Sequence, residues 1–161
     1  APPELLAELR CGPVNYPKVK ALKRALLAAA FASFLKRHFN AETARAAEFR
    51  AFIAENAEWL SDYAMFRMLM EENGGSPAWD RWAPEHRGPR RARTWLLSLP
   101  EKRRDELSRQ QLFFAYIQWI AFRQWREVKA AHLMVTANPW EKELLQRDTF
   151  KPQYRRELTR P

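Results

Sequence analysis

A chain of 161 residues is long enough for one domain with a packed core and short for two. The 47% apolar and 13% aromatic residues argue against disorder despite 29% charged residues, and only 4 Gly argue against an all-β fold with its many tight turns. The formal charge of +9, from 28 Lys and Arg against 19 Asp and Glu, keeps polyanions and anionic surfaces open as partners.

In chain order, the first residues, Ala-Pro-Pro-Glu-Leu-Leu-Ala-Glu-Leu-Arg, lack the basic start and apolar centre of a signal peptide, and they lack an initiator Met. The expectation is a chain cut from something longer. Cys11, the single cysteine, cannot form an internal disulfide, which fits a reducing cytoplasm. No apolar run approaches the roughly 20 residues that span a bilayer, so no membrane partner is expected. A first helix is predicted from Tyr16 and Pro17 to about His38, because proline suits the first turn, where its missing N–H costs nothing. Val19, Leu22, Leu26, Phe31, Phe34 and Leu35 would form its apolar side, with Lys18, Lys20, Lys23, Arg24, Lys36 and Arg37 in water. Asn40 is the expected cap of the next helix, residues 41–55, which carries Phe49, Phe52 and Ile53.

Residues 56–75 follow almost without a break and read as the central helix. Trp59, Tyr63, Phe66 and Met70 recur at steps of four, three and four, flanked by Leu60 and Leu69, which predicts one broad apolar stripe. Gly74 and Gly75 stop it, since residues without Cβ take the left-handed backbone that closes a helix end. Residues 73–100, punctuated by Pro77, Pro84, Gly88, Pro89 and Pro100, are expected to be a connection. It holds Trp79, Asp80, Arg81 and Trp82, the basic run 87–93, and a short apolar piece, Trp95, Leu96 and Leu97. Pro100 then opens a long helix whose early acids, Glu101, Asp105 and Glu106, suit a positive helix N-terminus. It is expected to reach about Ala131, roughly 45 Å at 1.5 Å per residue. Its apolar half, residues 112–128, is the natural partner of the central helix. Residues 132–161 read as a basic tail with a short helix at 139–146. There is no internal repeat.

Chemistry is sparse. His38, His86 and His132 stand apart, outside any metal-ligand spacing, Cys11 lies in no nucleophile motif, and Gly74 and Gly75 are not followed by the Lys of a phosphate loop. No catalytic, cofactor or metal residue is therefore assigned. Asp62 lies on the polar flank of its helix beside Ser61, where a structural hydrogen bond is the simpler role. Arg87, Arg90, Arg91, Arg93, Lys102, Arg103 and Arg104 could track phosphates, yet no helix-turn-helix or stacking signature accompanies them. Nucleic acid is thus a disfavoured partner. Trp59, Trp95, Trp119 and Trp125 sit in helical apolar patterns that favour core packing. Trp79 and Trp82 lie in the connection, where an indole face could stack on a sugar ring, although packing is again the simpler role.

Several of these residues recur in one order. Trp59, Leu60, Asp62, Tyr63, Ala64, Met65 and Phe66, then Gly74 and Gly75 with Trp79 and Trp82, then Tyr116, Gln118 and Trp119, and finally Gln124, Trp125, Val128 and Lys129 resemble the helical region of 4-α-glucanotransferases. These are the amylomaltases or disproportionating enzymes, glycoside hydrolase family 77. Tyr16, Pro17, Val19, Leu22 and Lys23 resemble the start of the same region. The resemblance implies a cytoplasmic (β/α)₈-barrel enzyme that transfers α-1,4-glucan segments between maltodextrins by a retaining mechanism and needs no cofactor. Such chemistry uses an Asp nucleophile and a Glu acid/base about 5–5.5 Å apart. Neither of their motifs occurs in this chain.

Past Lys129, Ala130 and Ala131 the resemblance stops, where the family has a Gly and a barrel strand. A (β/α)₈ barrel takes about 250 residues, which this chain cannot supply. The expected fold is therefore all-α: residues 1–131 form the helical insertion of a barrel enzyme and 132–161 an unmatched tail, from a truncated or frame-shifted frame. The expected function is that of a fragment inactive alone, with Trp59, Asp62, Tyr63, Phe66, Gln118, Trp119, Gln124 and Trp125 as scaffold and Trp79 and Trp82 as candidate glucan contacts. Self-association through exposed apolar faces is a further expectation. The alternatives are a stand-alone basic helical module binding nucleic acid or another polyanion, and a non-catalytic glucan-binding module.

Overall fold

The structure, a computed structural model, describes residues 13–135, with side chains through residue 131. Cys11 and the tail helix expected at 139–146 lie outside the described residues. Every regular element among them is helical, as the sequence predicts. Helix α1 runs Tyr16–Phe34, and Asn15 starts it by accepting the Lys18 backbone N–H at 3.1 Å. Its last turn widens into a π segment, Leu35–Phe39, whose end is closed by Asn40 N–H donating to Leu35 O at 3.1 Å. The extra residue per turn keeps Phe39 on the same side as Phe34, with ring centres 6.3 Å apart.

Asn40 therefore closes α1 instead of capping its successor. Helix α2 is Ala44–Glu55, with Thr43 in extended conformation at its N-cap and Glu42 at a positive φ of 51° forming the corner. The start expected at residue 41 is too early, because Ala41 and Glu42 belong to the turn that leaves α1 and Thr43 is the N-cap. Helix α3 is Ala57–Glu72, separated from α2 by Asn56 alone. That side chain serves both helices, donating to Phe52 O at 2.8 Å and accepting from Trp59 Nε1 at 3.0 Å.

The buried face of α3 is Leu60, Ala64, Met65, Met68 and Leu69. The predicted stripe is thus rotated by about one residue: Trp59, Tyr63 and Met70 lie half-buried at its margin and Phe66 is 37% exposed. Apolar side chains occur nearly all round this helix, so two faces fit a helical period equally well. Small Ala64 and slender Met68 win the inward position because they admit a close neighbour. Gly74 and Gly75 end the helix at φ 69° and 79°, and Gly75 N–H closes on Met70 O at 2.8 Å.

The connection holds two single 3-10 turns, Trp79–Arg81 and Pro84–His86, and then a helix, α4, Pro89–Ser98. The expectation of a loop over 89–98 is thereby corrected. Gly88 at φ 93° and Pro89 in the first turn are a helix start, not a break. Ala92, Trp95, Leu96 and Leu99 point into the core at helical spacing while Arg90, Arg91 and Arg93 stay in water. Helix α5 begins at Glu101, behind Pro100, and is described to Val135.

The chain divides into two units, Ala1–Trp119 and Ile120–Pro161. In the first, Phe31, Phe34, Phe49, Tyr116 and Trp119 form an aromatic core in which Phe34 meets Phe49 edge-on at 5.4 Å and Tyr116 at 5.1 Å. A second cluster joins Ala64, Met65, Met68 and Leu69 of α3 to Trp82, Ala92, Leu107 and Phe114. The predicted pairing of the central helix with the last one is present in this cluster. In the second unit the described residues are helical, with the Arg126 guanidinium 5.8 Å from the Phe122 ring centre.

Candidate functional site

The residues singled out in the sequence occupy different settings. Tyr63 and Gln118 are brought together across α3 and α5, the amide Nε2 donating to the phenol oxygen at 2.8 Å. Trp59 packs edge-on to Tyr63 at 6.2 Å. Trp119 is buried between Phe34 and Phe49, at ring distances of 5.5 and 5.3 Å, under the Arg45 guanidinium. Phe66 lies over Trp82 at 5.3 Å. Gln124 and Trp125 belong to the second unit, where both are exposed.

Asp62 is an exposed carboxylate, and Arg93 of α4 donates to it at 2.6 Å. The sequence suggests a structural role for Asp62 without revealing this partner, 31 residues away. Two other ion pairs hold the end of α3. Arg24 grips Glu71 with both terminal nitrogens, at 2.6 and 2.9 Å, and Arg103 bonds Glu72 and, at 3.1 Å, Glu106. The Arg24 hydrogen bond holds the Glu71 carboxyl below the usual glutamate range, against the opposing effect of its partial burial. The partners that α3 finds in Arg24, Arg93 and Arg103 have no local spacing that periodicity could reveal.

The two connection tryptophans divide sharply. Trp82 is 3% exposed and donates Nε1 to Ser76 O at 2.9 Å. Trp79 is 56% exposed and, among the described residues, its side chain has no hydrogen bond or ring contact. His86 is buried: Asn73 Nδ2 donates to its Nδ1 at 3.0 Å, its ring stands edge-on to Trp95 at 4.3 Å, and Nε2 has no partner among the described residues. The Asn73 bond ties the end of α3 to the turn before α4.

The basic run is partly committed to the fold, since Arg87 donates to Trp82 O at 2.7 Å and Arg93 pairs with Asp62. Among the described residues, no group of three or more His, Cys, Asp or Glu is placed to hold a metal ion, and no helix is long and apolar enough to cross a membrane.

Comparison with known proteins agrees with the aromatic motifs. The model of the family described as 4-alpha-glucanotransferase matches residues 3–134. A 4-alpha-glucanotransferase of Synechocystis sp. is 34% identical over 119 residues, covering 73% of this chain and 21% of that protein. One of Thermus thermophilus is 33% identical over 128 residues, covering 74% of this chain and 22% of its own length. The chain thus spans about a fifth of the length of the curated relatives it matches. No solved structure matches it.

Proposed function

Because the chain belongs to the 4-alpha-glucanotransferase family, we propose that it is the helical part of such an enzyme, inserted beside a (β/α)₈ barrel and shaping a groove for α-1,4-glucan. The supporting observation is the match over residues 3–134 to a chain whose described elements are all helices. In this role the motif residues are scaffold. Tyr63 and Gln118 lock α3 to α5, Trp119 fills the aromatic core, and Asp62 anchors α4 through Arg93.

By itself the chain transfers no glucan. Retaining transfer needs two carboxyl groups about 5–5.5 Å apart, one free to attack the anomeric carbon and one to exchange a proton with the leaving oxygen. Asp62, Glu71 and Glu72 are each engaged by an arginine, which occupies oxygen lone pairs that either role would need. The single Cys11 and a maltodextrin substrate both suit a cytoplasmic location. Maltotriose incubated with the purified chain should stay intact. Appearance of glucose together with maltopentaose would contradict the non-catalytic role.

A further inference from the structure

We propose that Trp79 is a sugar-stacking platform for an α-1,4-glucan chain, a contact that deepens the glucan-groove reading and rests on it. The two tryptophans of the connection have separate tasks. Trp82 takes the packing position, buried against Phe66 with its Nε1 bonded to Ser76 O. Trp79, three residues away, is left 56% exposed.

Trp79 is nevertheless held by a fixed loop. Its N–H donates to Pro77 O at 2.9 Å and its carbonyl accepts from Trp82 N–H at 3.3 Å. Ser76 is pinned on both sides, accepting from Trp82 Nε1 and, at its hydroxyl, from Ala78 N–H at 3.3 Å. Arg87 fixes the far end by donating to Trp82 O at 2.7 Å. An aromatic face presented on a backbone already ordered loses little entropy when a ligand docks.

The neighbours of Trp79 fit a sugar better than an apolar protein surface. Asp80 and Arg81 are both exposed, and among the described residues their side chains hold no hydrogen bond or ion pair. A pyranose has an apolar C–H face and a rim of hydroxyls. The indole can take the first, while the acceptor carboxylate and donor guanidinium of the next two residues in the chain are available for the second. An apolar protein partner would leave these two charges desolvated without pairing, which is costly.

The test is a titration of the full chain with maltoheptaose, followed by the indole N–H resonances, that of Trp79 being identified by its loss in W79F. The expected result is a shift of the Trp79 resonance and roughly tenfold weaker binding in W79A, with W79F retaining part of the affinity and both variants keeping the native circular dichroism. An unmoved Trp79 resonance, or W79A binding as tightly as the native chain, overturns the platform. So does resistance of Trp79 to N-bromosuccinimide in a hybrid that carries residues 3–134 within the Thermus thermophilus relative, since protein would then cover it. If that hybrid transfers glucan while Trp79 stays unmoved, the platform falls and the family role stands.

Discussion

Glu71 shows how single side chains set the conditions under which this fold holds. Its carboxylate is held by both nitrogens of Arg24, with Arg67 4.0 Å away, and hydrogen bonding to Arg24 depresses its proton affinity. A depressed glutamate adds stability that is complete above the unfolded value, near pH 4.3, and is lost as pH falls through the folded value. Glu71→Gln should therefore cost about 1 kcal/mol at pH 7 and little at pH 3. Urea unfolding of both proteins at the two pH values measures it. An equal cost at both would show that the interaction is not ionic. At this scale the sequence was least informative, because Arg24 and Glu71 stand 47 residues apart and only folding brings them together.

At the scale of elements, the end of α3 and the centre of the aromatic core make opposite demands. Gly75 has a φ of 79°, yet a Cβ there would meet nothing within 4 Å. Gly75→Ala should thus cost about 1–2 kcal/mol, the backbone penalty of the left-handed conformation, with no added clash. Phe49 is fully buried and ringed by Phe34, Phe39, Tyr116 and Trp119 at 5.3 to 6.2 Å. Phe49→Ala should cost about 3–5 kcal/mol, visible as a lower urea midpoint by circular dichroism.

Elements of this kind were largely legible in the sequence. Pro17, Gly74 with Gly75, and Pro100 marked real helix ends, because each acts through its own backbone. The face of α3 was not legible, since Trp59, Tyr63 and Phe66 are as apolar as the Leu60, Ala64 and Met68 that lie buried. Nor was α4, where Gly88 and Pro89 act as a start rather than a stop. The division of labour between Trp79 and Trp82 was equally hidden. Both sit in the same run of residues, and only folding gives Trp82 its hydrogen bond to Ser76 O.

At the scale of the whole molecule, Tyr63, Gln118 and Trp119 of the ordered aromatic set fix how the helices of the first unit meet. Residues 3–134 carry the family match, and carboxylates of α3 serve as struts. Exchanging the matched segment of the Thermus thermophilus relative for residues 3–134 of this chain, and then assaying maltotriose disproportionation, tests that scaffold role most directly. The hybrid should release glucose and longer maltodextrins, as the proposed scaffold role of the exchanged part requires. A well-folded hybrid without any transfer would contradict it.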